Sequence, residues 1–407
     1  MQIVFKLCLA TFLIFWLSTL AAPLYVDIVL LVLAYTVVKK SSPLNLTILC
    51  ASLLVCSGGL EVFFQLNYWG PGFGFYRAHE KYLNGQRYMP NIEENVRMPH
   101  GDLASIDINA PRELWEPRNE YFKTDSLGYR NSAEYKKGSH IINGDSFALG
   151  IGTDYADTIP AILRDKYGIE NYSIAFPAAP GDYERNAKDI LNKVSEQSKI
   201  LMFIFEGNDF NIQESGKSSA SLQGEIATTL DLYDAFKFQI INAFESYLIY
   251  PRRLGRLQRM LEKNLYSRHG EEVEYFEIAS RKVAFLKLHR TNSQAAGGYI
   301  NATLDPNVWN RVACTFFVPG KSRVYKNYLP EQIASEIKDP PPLFTSLAKS
   351  LKPFDTEMVD LSPTLQAAAE EYLEKGEFVF WRDDTHWNGN GMNAVAPVIA
   401  ECIKRRS

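Results

Sequence analysis

The sequence has little cysteine, little net charge and, up to Leu60, almost no charge of either sign. Five cysteines in 407 residues, with no CxxC and no Cys/His pair at ligand spacing, exclude a disulfide-dense mini-protein and a zinc site. The 43 Lys+Arg against 47 Asp+Glu leave a net charge of -4, so the basic footprint of a nucleic-acid partner is missing. Phosphate and dinucleotide loops are missing too. Gly320-Lys321-Ser322 has Thr315 where the first glycine of a phosphate loop should stand, and Gly150-Ile151-Gly152 lacks the third glycine of a dinucleotide fingerprint. His79, His100, His140, His269 and His289 show no ligand spacing and read as surface or core residues. No metal and no cofactor is expected.

What is present begins with apolar runs. Between Met1 and Leu60 the charges are Lys6, Asp27, Lys39 and Lys40. Leu7 to Ala22, Leu24 to Val38 and Leu44 to Leu60 each approach the roughly 20 residues that cross a bilayer. The Lys39-Lys40 loop predicts a cytoplasmic turn between the second and third spans, which puts everything from residue 66 outside. Tyr68, Trp69 and Tyr76 fit an interfacial belt. A cleaved signal ending near Thr19-Leu20-Ala21 is the alternative for the first run. The expected plan is an anchor over 1–65, an extracytoplasmic linker and lead-in over 66–138 without sustained period, and a folded domain over 139–407.

Within that domain, short apolar strands alternate with helices. Ser139 to Asn143, Tyr172 to Phe176 and Lys199 to Phe205 read as strands, with helices over Thr158 to Lys166 and Asp182 to Gln197. Arg311 to Val318 and Thr356 to Leu361 continue the strands, Pro363 to Leu373 is a helix, Phe378 to Trp381 a last short strand and Asn390 to Lys404 the final helix. Apolar strands alternating with helices predict an α/β fold with a parallel sheet. An insertion at about 211–310 carries an apolar helical stretch, Phe236 to Tyr250, followed by Arg252, Arg253, Arg256, Arg259 and Lys263. It reads as a solvated helix face, with contact to anionic headgroups as the alternative. Cys314 reads as a buried strand residue, and its pairing with Cys402 is left open.

Parallel strands bring their following loops to one edge, where open α/β sheets place their sites. The first strand is followed by Asn143-Gly144-Asp145-Ser146-Phe147, the second by Pro177 to Asp182 and the third by Glu206-Gly207-Asn208-Asp209. Arg382-Asp383-Asp384-Thr385-His386-Trp387-Asn388 follows the last strand. A serine hydroxyl, a histidine, a carboxylate, the Gly181 N–H and the Asn208 amide can thus converge. Singly, such blocks are caps and turns; together they suit nucleophilic acyl transfer.

These blocks resemble the SGNH (GDSL-like) hydrolase superfamily over about residues 139–210 and 376–404. The resemblance implies a flavodoxin-like three-layer α/β/α domain, with Ser146 as nucleophile, His386 as base, and Gly181 and Asn208 with the serine's own N–H as the oxyanion hole. The superfamily's wider pattern, Asp three before His, would choose Asp383; the Asp-Thr-His string chooses Asp384, which is preferred. Gly128-Tyr129-Arg130, Val318-Pro319-Gly320-Lys321 and Val324-Tyr325 look like the membrane-associated branch that acetylates exported polysaccharides, including the alginate O-acetylation proteins. This implies an O-acetyltransferase on the outer face of the cell (inner) membrane, taking a polysaccharide acceptor and an acyl donor, with a polytopic membrane-bound acyltransferase as partner. Trp387 is a candidate sugar-stacking platform or a core-edge aromatic. An esterase of the same fold and a catalytically silent polysaccharide-binding or assembly subunit are the competing expectations.

Overall fold

A computed structural model describes residues 82–209, 273–292 and 304–406, apart from short gaps. The three apolar runs, the Phe236 to Tyr250 stretch with its arginines, and Asn208 lie outside the described residues. Among the described residues no helix is long and apolar enough to cross a membrane.

After a pair of two-residue antiparallel strands, Tyr82–Leu83 and Arg87–Tyr88, come strand β1 (Glu93–Met98), the short helix α1 (Asp102–Ile106) and strand β2 (Arg118–Lys123), β1 and β2 pairing antiparallel. Then follow β3 (His140–Asn143), α2 (Ser146–Leu149), α3 (Ile159–Tyr167), β4 (Asn171–Ser173), α4 (Pro180–Leu191) and β5 (Ile200–Phe205). A hairpin, β6 (Val273–Ile278) and β7 (Arg281–Leu286), turns through Ala279 and Ser280, both at positive φ. The last third is β8 (Val312–Val318), α5 (Lys321–Val324), α6 (Pro342–Leu351), β9 (Glu357–Asp360), α7 (Ser362–Glu374) and α8 (Gly389–Arg406).

The main sheet has the order β9-β8-β5-β3-β4, parallel throughout. Its two central strands are fully buried, as their unbroken apolar runs predict. Strand residues alternate between two cores. Ile142, Leu201, Phe203, Phe205 and Phe316 pack with α3, α7 and α8; Ile141, Ile200, Met202 and Ile204 pack with α4 and α6. Helices therefore cover both faces, giving the α/β/α layering. Cys314 is buried in β8 and forms a disulfide with Cys402 of α8, which ties that strand to the helix covering it.

Two sequence expectations are corrected. The stretch 66–138 is not wholly irregular, since 93–123 contain the β1–β2 hairpin and α1. EENVRM has no apolar alternation to mark a strand; its pairing, not its propensity, makes it one. Phe378 to Trp381 is not a strand of the sheet: only Phe380 bridges, antiparallel, to Trp387.

Candidate active site

β3 ends in a turn that needs glycine. Gly144 lies at φ +152°, and a Cβ there would meet the Phe203 Cβ at 2.8 Å. The turn delivers Asp145 as N-cap of α2, its carboxylate accepting from the Phe147 N–H at 2.9 Å. Ser146 is thereby the first helical residue, half-buried at the carboxyl edge of the sheet. Arg130 secures the far end of α2, donating to Leu149 O (3.1 Å), Gly150 O (2.7 Å) and Thr153 O (2.8 Å).

From the other end of the chain, the bridge Phe380 to Trp387 closes a loop over residues 381–386. His386 Nε2 stands 2.7 Å from Ser146 Oγ, and Nδ1 stands 2.7 Å from Asp384 Oδ1. Asp384 Oδ1 also accepts from the His386 N–H at 3.1 Å. Its second oxygen accepts from the Asp102 N–H at 3.1 Å and from the Arg118 guanidinium. Nδ1 thus faces a carboxylate and Nε2 the hydroxyl, the arrangement in which a neutral imidazole can take the serine proton.

Electrostatics favour that assignment. Burial would raise the Asp384 carboxyl, but the Arg118 and His386 charges outweigh it and hold the group well below the usual carboxylate range. Burial works against the imidazolium of His386, and Asp384 outweighs it, so this histidine lies above its ordinary value. Asp383 points elsewhere: its oxygens accept from the Gly101 N–H (2.7 Å), the Glu116 N–H (3.0 Å) and Arg118 Nη1 (3.1 Å). Of the two aspartates, Asp384 is the one that touches His386.

The remaining predicted residues fare differently. Gly181 is the second residue of α4, whose N-terminal end follows the β4 loop. Asn208 falls outside the described residues, though Asp209 beside it is placed, accepting from the Phe205 N–H and the Tyr183 hydroxyl, each at 2.8 Å. Trp387 is corrected: it is fully buried, its indole N–H donates to Phe147 O at 3.2 Å, and its ring packs edge-on against Phe147. A ring with no exposed face cannot stack a sugar, so Trp387 is the core aromatic of the two alternatives.

Sequence reading missed several residues that hold this loop. Lys321, the first residue of α5, is buried and donates to Ala284 O (2.8 Å), Trp381 O (2.7 Å), Arg382 O (3.0 Å) and Asp384 O (3.1 Å). Burial pushes its ammonium down to about 8. Glu116 accepts from the Arg382 N–H and Nε at 2.7 and 2.6 Å. Gly101 is forced by close approach, since a Cβ there would lie 2.3 Å from Asp383 O. The Val-Pro-Gly-Lys string contained Lys321; nothing in the aperiodic lead-in marked Gly101, Asp102 or Arg118.

Comparison with known proteins bears on the family. Residues 309–407 match the family model described as SGNH hydrolase-like domain, acetyltransferase AlgX. The resemblance to the SGNH alginate O-acetylation branch holds. A 91-residue stretch is 36% identical to the probable alginate O-acetylase AlgJ of Pseudomonas putida, covering 22% of this chain and 22% of that protein. No solved structure matches. The matched family region contains Asp384 and His386 but not Ser146, which follows β3 and meets His386 at the carboxyl edge of the sheet.

Proposed function

We propose that this protein is an acyl-transfer enzyme of the SGNH type, an O-acetyltransferase that moves an acetyl group onto a hydroxyl of an exported polysaccharide. The observation that carries the reading is the hydrogen-bonded series Ser146, His386, Asp384. In the first half-reaction the Ser146 oxygen attacks the acyl carbonyl and its proton passes to His386 Nε2. The leaving group departs with that proton and the acyl group stays on Ser146. In the second, an acceptor hydroxyl gives its proton to the same nitrogen and takes the acyl group, and the nitrogen returns that proton to the departing Ser146 oxygen. The Ser146 N–H at the start of α2, the Gly181 N–H and the Asn208 amide are the donors proposed for the oxyanion, each worth roughly 3 to 4 kcal/mol in such sites.

Polysaccharide as acceptor is supported by the likeness to AlgX and AlgJ, and alginate or another uronate polymer is the first substrate to try. A membrane anchor over 1–65, with the domain outside, is supported by the three apolar runs and the Lys39-Lys40 loop. The Cys314–Cys402 disulfide suits an oxidising compartment and favours the same side. The acyl donor and a polytopic acyltransferase partner belong to the proposal in the same way.

The test uses the full chain in detergent with p-nitrophenyl acetate, with and without oligosaccharides, against Ser146→Ala. Acetyl on sugar, lost in the variant, is the expected result. Acetate release indifferent to sugar would make the protein an esterase, and no Ser146-dependent turnover with either acceptor would remove acyl transfer altogether.

A further inference from the structure

A second carboxylate stands beside the base. Asp102, the first residue of α1, reaches the loop from 282 positions upstream of Asp384, its own N–H donating to Asp384 Oδ2. Its side chain accepts from the Thr385 N–H at 2.8 Å and from the Thr385 hydroxyl. With its hydrogen committed to Asp102, the Thr385 oxygen presents lone pairs to His386 Nδ1, 3.3 Å away. The Nδ1–H can therefore divide between Asp384 Oδ1 and Thr385 Oγ. Asp102 Oδ2 itself is 3.8 Å from Nδ1.

We propose that Asp102 is a positioning residue for the base: through Thr385 it fixes the His386 ring, and its carboxylate is the second negative charge that the imidazolium sees when Ser146 gives up its proton. The inference rests on the acyl-transfer reading and adds to it a charged group from a segment outside the resemblance. Asp384 alone is partly neutralised by Arg118. A second anion on the Thr385 side offsets that loss and strengthens the base.

The groups that face Asp102 set its own charge. Asp384 lies beside it, and Thr385 donates to it; Lys321 acts on it from beneath the loop. Burial first and the Asp384 charge second push its carboxyl up to about 7, while His386 and the Thr385 hydrogen bond pull it down. A third of the side chain remains exposed, which leaves a route for proton exchange with solvent. Ionisation of Asp102 and protonation of His386 favour one another, so the two titrations belong to a pair. Asp145, Asp384 and His289 also act on His386 and are present in every state compared below.

The experiment is a nuclear magnetic resonance titration of the His386 Cε1 signal in the detergent-solubilised full chain, labelled at histidine and assigned with His386→Gln. In Asp102→Asn, which keeps the shape and removes the charge, the His386 midpoint should fall by about one pH unit. An unchanged midpoint overturns the proposal. Should Asp102→Asn fail to fold, Asp102→Ser carries the same test, since its hydroxyl can still accept from the Thr385 N–H while the charge is gone: the His386 midpoint should fall, and an unchanged midpoint overturns the proposal. The titration needs no acyl donor. A downward shift in a chain that shows no Ser146-dependent turnover therefore upholds the coupling and removes only the acyl-transfer reading.

Discussion

The Arg118 guanidinium donates to Asp384, 266 residues further along the chain, and with its other nitrogen to Asp383 at 3.1 Å. One buried cation thus separates two adjacent carboxylates into different tasks. Asp384 keeps one oxygen for His386, whereas Asp383 spends both on Arg118 and on the backbone N–H groups of Gly101 and Glu116.

Replacement of the two aspartates should therefore give unlike results. Asp384→Asn leaves His386 without its anion and should lower kcat for ester turnover by roughly 10⁴-fold, the loss typical of a triad carboxylate. Asp383→Ala strands the Gly101 and Glu116 N–H groups and should lower unfolding stability by about 1 to 3 kcal/mol. Denaturant unfolding beside steady-state kinetics checks this; equal kcat losses in the two variants would deny the division.

The pH profile follows from His386 needing to be neutral to accept the Ser146 proton. Since Asp384 holds its pKa above the ordinary 6.5, the acid limb of turnover should have its midpoint above 6.5, activity falling as pH drops through it. Asp384, lowered in the fold, contributes stability that is complete above 3.8 and lost only as pH falls below that value. The activity loss should thus precede acid unfolding, and circular dichroism across the same range should be flat where kcat declines.

Lys321 tests whether the loop depends on a buried cation. Lys321→Met takes a donor from four carbonyl oxygens, those of Ala284, Trp381, Arg382 and Asp384, of which Arg382 O keeps the Ala284 N–H and Trp381 O the Asp384 N–H. Loss of about 3 to 5 kcal/mol in unfolding free energy is expected, the scale for removing one partner of a buried charge network. A variant as stable as the parent would mean that those carbonyls find other donors.

Sheet strands were legible because Ile200–Phe205 and Val312–Val318 are apolar on both faces, a pattern that only a covered parallel strand requires. Ser146 and His386 were legible because their blocks sit immediately beyond the main-sheet edge or its return loop. Arg118 and Asp102 were not, since a polar hairpin gains its place from pairing and from carboxylates more than 260 residues away, which leave no periodic trace. Trp387 misled because an aromatic beside a catalytic histidine suits a platform and a core equally, and only burial separates them.

The disulfide supplies the last prediction. Cys314 lies in mid-strand of β8, paired in register with Leu201 and Glu357, and Cys402 lies near the end of α8, 88 residues on. Cross-linking a loop of that length restricts the unfolded chain, and loss of such a bond typically costs about 2 to 5 kcal/mol. Reduction, or Cys402→Ala, should lower the unfolding midpoint accordingly. The bond joins strand to covering helix below the carboxyl edge where Ser146 and His386 meet, so kcat measured well under the new midpoint should match the parent. A kcat loss equal to that of Ser146→Ala, in protein shown to be folded, would mean that α8 transmits its position to the 381–386 loop, and that the site is less independently built than its hydrogen bonds to α1, β2 and α5 indicate.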